Sequence, residues 1–280
     1  MIRLAVRVQR EHAELVLAEL LELVPAGVQE VDVDESQLEY VIYGPPGELP
    51  DLPALRAAAG AALVDVSSTE IADDWPERWR AFHRPLRLGD RLTVRPPWEP
   101  PADTDFDVVI DPGRAFGTGA HATTRMCLEL LLGLPPARRA GGSPAVVDLG
   151  CGSGVLAITA AKLGWEPVLA LDNDPLSVQA TLANAAANRV RLEVRRCDLR
   201  ETPPPAAPLV LANLLAPLLR TWASSLREAP GRVPDAAVVS GLLVPEAERV
   251  AEAFAAAGLR ERSRALRGEW AALVLGRAYN

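Results

Sequence analysis

Runs of apolar residues with the length of β-strands alternate with helical stretches from about Asp105 onward. We predict strands at residues 145–148, 168–172, 209–212, 236–240 and 270–275, with a further candidate at 192–196. We predict helices at residues 155–164, 175–188, 215–227 and 245–258. Such alternation indicates parallel strands joined by crossover helices. The fold class is therefore α/β, with a doubly wound, Rossmann-like sheet that binds ligands at the carboxyl ends of its strands.

The first 66 residues have a different order of elements. Strand-like alternation at residues 2–8 is followed by apolar residues at helical spacing, which end at Pro25 and Gly27. Two strands, a short Ala-rich helix and a last strand follow at residues 28–33, 37–43, 52–60 and 62–66. The order βαββαβ predicts a small α+β, ferredoxin-like domain.

Residues 67–101 separate the two patterns. Trp75, Trp79 and Phe82 recur near helical spacing, and prolines interrupt the rest of the segment. We interpret it as a linker with one short helix, whose aromatic residues pack on one domain. The predicted organisation is a small domain at 1–66, a linker at 67–101 and a large domain at 102–280.

Composition excludes several classes of protein. Hydrophobic residues make up 49% of the chain and charged residues 24%, which is ordinary for globular proteins. No apolar run is long enough for a membrane span, and the first residues lack the apolar core of a signal peptide, so we expect a cytoplasmic protein without membrane contact. The three cysteines, Cys127, Cys151 and Cys197, are widely spaced and indicate free thiols rather than disulfides or a metal site.

The negative charge is concentrated at one end of the chain. Residues 1–66 contain four arginines and twelve Asp and Glu, which accounts for the whole net charge of −8. Direct binding of nucleic acid normally requires a basic surface, so it is not expected here. A basic protein partner suits this charge better. The alternative is that these residues form only a solvated acidic face.

A glycine-rich turn follows the strand at 145–148. The sequence Val-Asp-Leu-Gly-Cys-Gly-Ser-Gly at 147–154 runs from a buried strand into a turn that opens a helix. Glycines in such a turn let a ligand approach the backbone amides. Val155 occupies the place of the last glycine of the dinucleotide fingerprint, which argues against a dehydrogenase. A tight turn without a ligand remains the alternative.

Polar residues end the neighbouring strands. Asp172 lies 22 residues after Gly150, where a carboxylate can accept hydrogen bonds from two ribose hydroxyls, although it could also serve only as a helix cap. The pattern Asp-x-Gly-x-Gly-x-Gly at 148–154 resembles motif I of class I S-adenosylmethionine-dependent methyltransferases. This resemblance implies an adenine contact at Asp198, with a simple acidic turn residue as the alternative. Asn213 ends a fourth strand but lacks the Pro-Pro-aromatic sequence of methyltransferases that act on glutamine or adenine. Helix capping is the alternative role for Asn213.

The loop at 111–124 closely matches the signature sequence of one protein family. It reads Asp-Pro-Gly-Arg-Ala-Phe-Gly-Thr-Gly-Ala-His-Ala-Thr-Thr and lacks the Lys-Ser/Thr end of a phosphate-binding loop. It closely resembles the signature Asp-Pro-Gly-x-Ala-Phe-Gly-Thr-Gly-x-His-x-Thr-Thr of the PrmA family, class I S-adenosylmethionine-dependent enzymes that methylate ribosomal protein L11. Residues 87–99, 213–215, 240–243 and 268–274 also agree with that family.

This resemblance implies a function and a set of site residues. The implied cofactor is S-adenosyl-L-methionine, with cofactor contacts at Thr124, Gly150, Gly152, Asp172 and Asn213. The acidic residue of the glycine motif, Asp148, and the backbone of the turn after it would hold the methionine end of the cofactor. Thr124 could instead only cap or pack a helix that begins near Thr123. No catalytic residue is assigned, His121 is given no role, and no metal is expected.

The implied reaction is N-methylation of lysine or N-terminal amines of ribosomal protein L11, with residues 1–66 as the substrate-recognition domain and 102–280 as the methyltransferase domain. No side chain is an evident base, so our hypothesis is that desolvation and acceptors near Asn213 favour the uncharged amine. The alternatives are another basic protein, a small molecule or an RNA as substrate, or a cofactor-binding module without activity. Oligomeric state is not predicted.

Overall fold

The computed structural model describes residues 2–24, 28–34, 36–44, 49–70, 83–112, 121–136 and 145–277. Two compact units are formed, one containing the described residues up to 70 and the other the described residues from 83 onward. The helix predicted around Trp75, Trp79 and Phe82 lies outside the described residues. Each unit is considered on its own below.

The first unit is a four-stranded antiparallel sheet with two α-helices. Its elements are β1 (Ile2–Gln9), α1 (Ala13–Leu23), β2 (Gln29–Asp32), β3 (Gln37–Gly44), α2 (Leu52–Ala59) and β4 (Leu63–Glu70). The strand order is β2-β3-β1-β4. Val6, Leu20 and Tyr40 lie in its core, where the Tyr40 hydroxyl donates to the carbonyl oxygen of Ala13 at 2.8 Å. The predicted ferredoxin-like arrangement is confirmed.

The second unit contains a seven-stranded sheet. Its strands are β8 (Val146–Leu149), β9 (Val168–Asp172), β10 (Glu193–Arg196), β11 (Leu209–Asn213), β12 (Ala236–Leu243), β13 (Leu259–Arg267) and β14 (Trp270–Arg277), in the order β10-β9-β8-β11-β12-β14-β13. Its helices are α3 (Ala122–Leu132), α4 (Val155–Lys162), α5 (Pro175–Ala187), α6 (Ala216–Glu228) and α7 (Val244–Ala256). Two separate clusters of buried side chains form the core of this unit. The doubly wound α/β fold is confirmed.

The prediction of parallel pairing is wrong for the last strand of this sheet. Strands β8 to β12 pair in parallel, but β14 runs antiparallel to β12, and β13 pairs antiparallel with β14. The strand predicted at 270–275 is therefore the second arm of a hairpin, closed by a turn in which Gly268 has a φ of +60°. The sequence of β13, Leu-Arg-Glu-Arg-Ser-Arg-Ala-Leu-Arg, is too polar to indicate a strand.

The linker prediction also needs correction. Residues 67–70 belong to β4, and residues 86–109 contain β5 (Leu86–Leu88), β6 (Leu92–Arg95) and β7 (Phe106–Val109), which form a separate three-stranded sheet in the second unit. Arg95 joins β6 to β7 because its guanidinium donates twice to the Asp107 carboxylate, at 2.7 and 2.8 Å. Strands of three or four residues beside prolines are too short to show a period of two.

Two further sequence expectations concern cysteines and membranes. Cys127 and Cys151 are buried free thiols, and Cys197 is a half-buried free thiol. Within the described part of the chain, no helix is both long and apolar enough to cross a membrane.

Candidate functional site

Three of the predicted site residues end neighbouring strands in the middle of the sheet. Strand β8 lies between β9 and β11, with Leu149 opposite both Leu171 and Ala212. Gly150 follows β8, Asp172 ends β9 and Asn213 ends β11. The parallel register therefore brings these residues to the same edge of the sheet, which is where doubly wound folds bind ligands.

The glycine turn after β8 is held by hydrogen bonds from α5. Gly150, Gly152 and Gly154 all have positive φ values. From α5, the Thr181 hydroxyl donates to the Gly152 carbonyl at 2.9 Å, and the Asn184 amide donates to the Ser153 carbonyl at 2.8 Å. These bonds occupy the carbonyl groups of the turn and fix its shape.

Asp172 is bound to the same turn. One carboxylate oxygen accepts from the Gly152 N–H at 2.9 Å, and the other accepts from the Asp174 N–H at 3.0 Å. The alternative role of Asp172 as a helix cap is excluded, because Asp174 caps α5 by accepting from Leu176 and Ser177. Burial raises the pKa of the Asp172 carboxyl group above its ordinary value.

Asp148 is the most buried carboxyl group near the turn. It lies on β8 with no solvent exposure, and its Oδ2 accepts from the Ala157 N–H of α4 at 3.0 Å. Its Oδ1 has no hydrogen-bond partner among the residues that the structure describes. Burial raises the pKa of Asp148 to about 7. A buried carboxylate oxygen without a donor is suited to a cationic ligand group, so the turn and Asp148 fit the methionine end of S-adenosyl-L-methionine.

Asn213 and Thr124 form a second cluster. The Asn213 Nδ2 donates to the Thr123 Oγ1 at 3.2 Å and to the Thr124 Oγ1 at 3.3 Å. Thr124 is buried, and the cap of α3 is His121, whose ring accepts from the Thr123 N–H. Asn213 does not cap α6, since that helix begins after Leu215. The alternative capping roles of Thr124 and Asn213 are therefore excluded.

Leu214 is enclosed by two glycines. A Cβ atom added to Gly150 would lie 2.3 Å from the Leu214 Cδ2, and one added to Gly241 would lie 2.5 Å from the Leu214 carbonyl oxygen. The Leu214 N–H also donates to the Ser240 carbonyl at 3.0 Å. The backbone beside Asn213 is thus fixed between β8 and β12. At this point the pairing of β12 with β14 is irregular, because the register shifts between Val239 and Leu242.

We expect Gly241→Ala to destabilise the protein by about 2 kcal/mol, because the new Cβ meets backbone atoms of Leu214 and Gly241 has a φ of +83°. Urea unfolding followed by circular dichroism measures the loss. Gly258→Ala is the matched control, since Gly258 has a φ of +90° but open space around its Cβ position. Its cost should be roughly 1 kcal/mol. Equal losses in the two variants would contradict the steric role of Gly241.

Residues 54–278 match the protein family described as "Ribosomal protein L11 methyltransferase (PrmA)". The chain belongs to this family. The ribosomal protein L11 methyltransferase of Pelobacter propionicus is 41% identical over 219 residues, covering 76% of this chain and 70% of that protein. The ribosomal protein L11 methyltransferase of Syntrophotalea carbinolica is 37% identical over an alignment of 292 positions, covering 93% of this chain and 92% of that protein.

A solved structure agrees with this membership. The crystal structure of the ribosomal protein L11 methylase from Lactobacillus delbrueckii subsp. bulgaricus superimposes with a TM-score of 0.60 and 25% sequence identity. The match covers 70% of this chain and 100% of that chain. The methyltransferase fold predicted from the family signature is therefore confirmed.

Two parts of the predicted site remain to be placed, the signature loop and Asp198. Of the family signature loop, residues 113–120 lie outside the described residues. Asp198 follows β10, and its carboxylate is bound to the Arg200 guanidinium at 2.8 Å and to the Arg200 N–H at 2.9 Å. These bonds lower the pKa of Asp198 to about 2. Within the described ranges, no group of three His, Cys, Asp or Glu side chains could hold a metal ion.

Several residues that shape the site carry no assignment from the sequence. Ser177, Thr181 and Asn184 form a buried polar face of α5, which Asn188 continues at the C-cap. Asn184 connects two loops, because its Nδ2 donates to Ser153 and its Oδ1 accepts from the Asp111 N–H at 3.0 Å. The polar residues at 177, 181, 184 and 188 are spaced by three and four positions, and this spacing is the signal in the sequence that indicates a polar helix face.

Proposed function

We propose that the protein transfers methyl groups from S-adenosyl-L-methionine to amines of ribosomal protein L11. The family membership over residues 54–278 carries this proposal. The meeting of Gly150, Asp172 and Asn213 at one sheet edge supports it, because the family resemblance implies cofactor contacts for these residues.

The residues present fit the cofactor. Asp172 has two carboxylate oxygens at the strand end, which suit the two hydroxyls of a ribose. The glycine turn and Asp148 suit the methionine end, and Asn213, at the end of the strand next to β8, is bound to Thr124 of α3. When bound, the sulfonium of the cofactor supplies an electrophilic methyl group. The task left to the protein is to orient an uncharged amine and to exclude water.

Deprotonating the amine is the larger energetic demand. A lysine with a pKa of ~10.4 costs roughly 4.6 kcal/mol to neutralise at pH 7, whereas an α-amine near 8 costs about 1.4. A desolvated site lined with acceptors lowers this cost, because burial disfavours the ammonium ion. The Asn213 Nδ2 is occupied by two threonine hydroxyls, and its Oδ1 has no donor among the described residues. We propose that this Oδ1 accepts from the target amine.

We further propose that the small first unit recognises the substrate. Helix α1 carries the exposed residues Glu14 and Glu19, with Leu15 between them at 71% exposure. Arg7, one of the few basic residues of the unit, is paired with Glu39 at 2.7 Å. The remaining acidic excess favours a basic partner, such as a ribosomal protein, over a nucleic acid.

The experiment incubates the purified full chain with S-adenosyl-L-methionine and unmodified ribosomal protein L11. Intact-mass and peptide mass spectrometry then count the methyl groups and locate them. We expect mass gains of whole methyl groups on lysines or on the N-terminal amine.

Two controls separate the alternatives. A basic protein of similar size, added in place of L11, should gain no methyl groups. Cofactor binding is measured in the same sample by calorimetry with S-adenosylhomocysteine. Binding without any methylation of L11 would overturn the substrate assignment and favour another substrate or a module without activity.

A further inference from the structure

The ring of His121 connects the start of α3 to the Asn213 cluster. Its Nδ1 lies 2.8 Å from the Thr123 Oγ1 and 3.4 Å from the Thr123 backbone nitrogen. The ring packs edge-on against Trp270 of β14, with a centroid distance of 4.9 Å. His121 therefore has a polar contact with Thr123 and an aromatic contact with Trp270.

The backbone contact sets the direction of the other hydrogen bonds. A backbone N–H can only donate, so the His121 Nδ1 that accepts from Thr123 carries no proton, and the neutral ring is protonated at Nε2. The Thr123 hydroxyl at 2.8 Å must then donate its single proton to Nδ1. Its oxygen is left as an acceptor only.

This direction selects one orientation of the Asn213 side chain. Because the Thr123 hydroxyl proton is used by His121, the Thr123 oxygen can accept from the Asn213 Nδ2 but cannot donate to the Asn213 Oδ1. Rotating the carboxamide by 180° would bring two acceptor oxygens together. The Thr124 hydroxyl accepts the second Nδ2 proton. Asn213 is thus held with Oδ1 turned away from both threonines.

We propose that His121 is a positioning residue that acts through Thr123 to keep the Asn213 Oδ1 directed toward the target amine. This inference rests on the proposed function and assigns a role to a residue that has none in it. Glu269, in the turn before Trp270, acts on the ring through its charge and raises the His121 pKa. Burial has the larger effect and lowers it, which favours the neutral ring that the direction of the bonds requires.

Two substitutions separate the polar contact from the aromatic one. His121→Asn keeps an acceptor near the position of Nδ1 but removes the ring. His121→Phe keeps a ring against Trp270 but removes the acceptor. We expect turnover at saturating cofactor to fall about three- to tenfold in His121→Phe, the value of one such hydrogen bond, and to stay within about twofold of the wild type in His121→Asn.

If the ring had a purely structural role, His121→Asn would lose more turnover than His121→Phe, and that result would overturn the proposal. Thr123→Val should lose at least as much turnover as His121→Phe, because it leaves an Asn213 N–H without an acceptor. Thr221→Val, at an exposed threonine of α6, is the matched control for loss of a hydroxyl group.

A second readout does not depend on activity. Long-range ¹H–¹⁵N NMR spectra of histidine rings distinguish the two tautomers, and the His121 signals are identified by their absence in His121→Asn. We expect a ring protonated at Nε2 and unprotonated at Nδ1 near pH 7. The reverse tautomer would overturn the inference even if L11 is methylated. Conversely, failure of the wild type to methylate L11 would overturn the proposed function and leave the tautomer to be decided by NMR.

Discussion

Replacing Asn213 with alanine should lower turnover at saturating S-adenosyl-L-methionine by on the order of a hundredfold, which corresponds to roughly 2.7 kcal/mol. The reason is the loss of the only part of the side chain that faces away from the two threonines, the Oδ1 proposed to accept from the amine. The measurement is the initial rate of methyl transfer to L11, at cofactor concentrations shown to be saturating for the variant.

Saturation matters because the family resemblance also gives Asn213 a cofactor contact. A variant that binds the cofactor weakly but turns over normally when saturated would contradict the role of Asn213 toward the amine. Asn213→Asp provides the matched comparison, since it keeps an acceptor oxygen and removes the Nδ2 donors. Its turnover should lie between those of the wild type and Asn213→Ala. The exposed Asn173, which follows β9, supplies the control substitution Asn173→Ala.

Local sequence was sufficient for the elements whose pattern is set by burial. The strand predicted at 168–172 has the same bounds as β9, because five apolar or buried residues stand between Pro167 and the sequence Asn-Asp-Pro that leads into α5. The edge strand β13 was missed for the opposite reason. Five of its nine residues are arginine or glutamate, and Arg264 pairs with Glu261 at 2.6 Å, so no apolar period is visible.

The positions of the candidate site residues are predictable where these residues lie at strand ends. A contact that joins distant segments of the chain is not predictable from either segment alone. Gly150, Asp172 and Asn213 follow from the order of strands. The bond between Asn213 and Thr123 joins positions 90 apart in the chain, and nothing local in either segment indicates it. The same holds for Gly241, whose need for a glycine comes from the backbone of Leu214.

Asp148 should make the stability of the protein depend on pH in an unusual direction. A carboxyl group with a pKa near 3.9 in the unfolded chain and about 7 in the folded protein binds more protons when folded, so its contribution is complete below pH 4 and is lost as the pH rises through 7. The difference corresponds to on the order of 4 kcal/mol. Asp148→Asn has the same shape but does not titrate.

We therefore expect the free energy of unfolding of the wild type to fall relative to that of Asp148→Asn between pH 4 and 7, by roughly 1.4 kcal/mol per pH unit, and to level off above pH 7. Urea unfolding at pH 5, 6, 7 and 8 measures both proteins. Titratable groups that do not interact with Asp148 are present in both proteins and cancel in the difference. Asp172 is the exception, because its charge contributes to the raised pKa of Asp148. Parallel stability curves would show that Asp148 is ionised throughout.

The same carboxyl group should couple ligand binding to pH. If Asp148 holds the ammonium group at the methionine end of the ligand, binding favours the ionised form of Asp148, and the affinity rises as the pH approaches the pKa of about 7 in the free protein. We expect calorimetry to find S-adenosylhomocysteine bound on the order of tenfold more tightly at pH 7.5 than at pH 6, with release of a proton at the lower pH. Asp148→Asn should bind more weakly and with no such dependence. A wild-type affinity that is constant over this range would show that Asp148 does not interact with the ligand. Its role would then be structural, as the buried acceptor for the Ala157 N–H of α4.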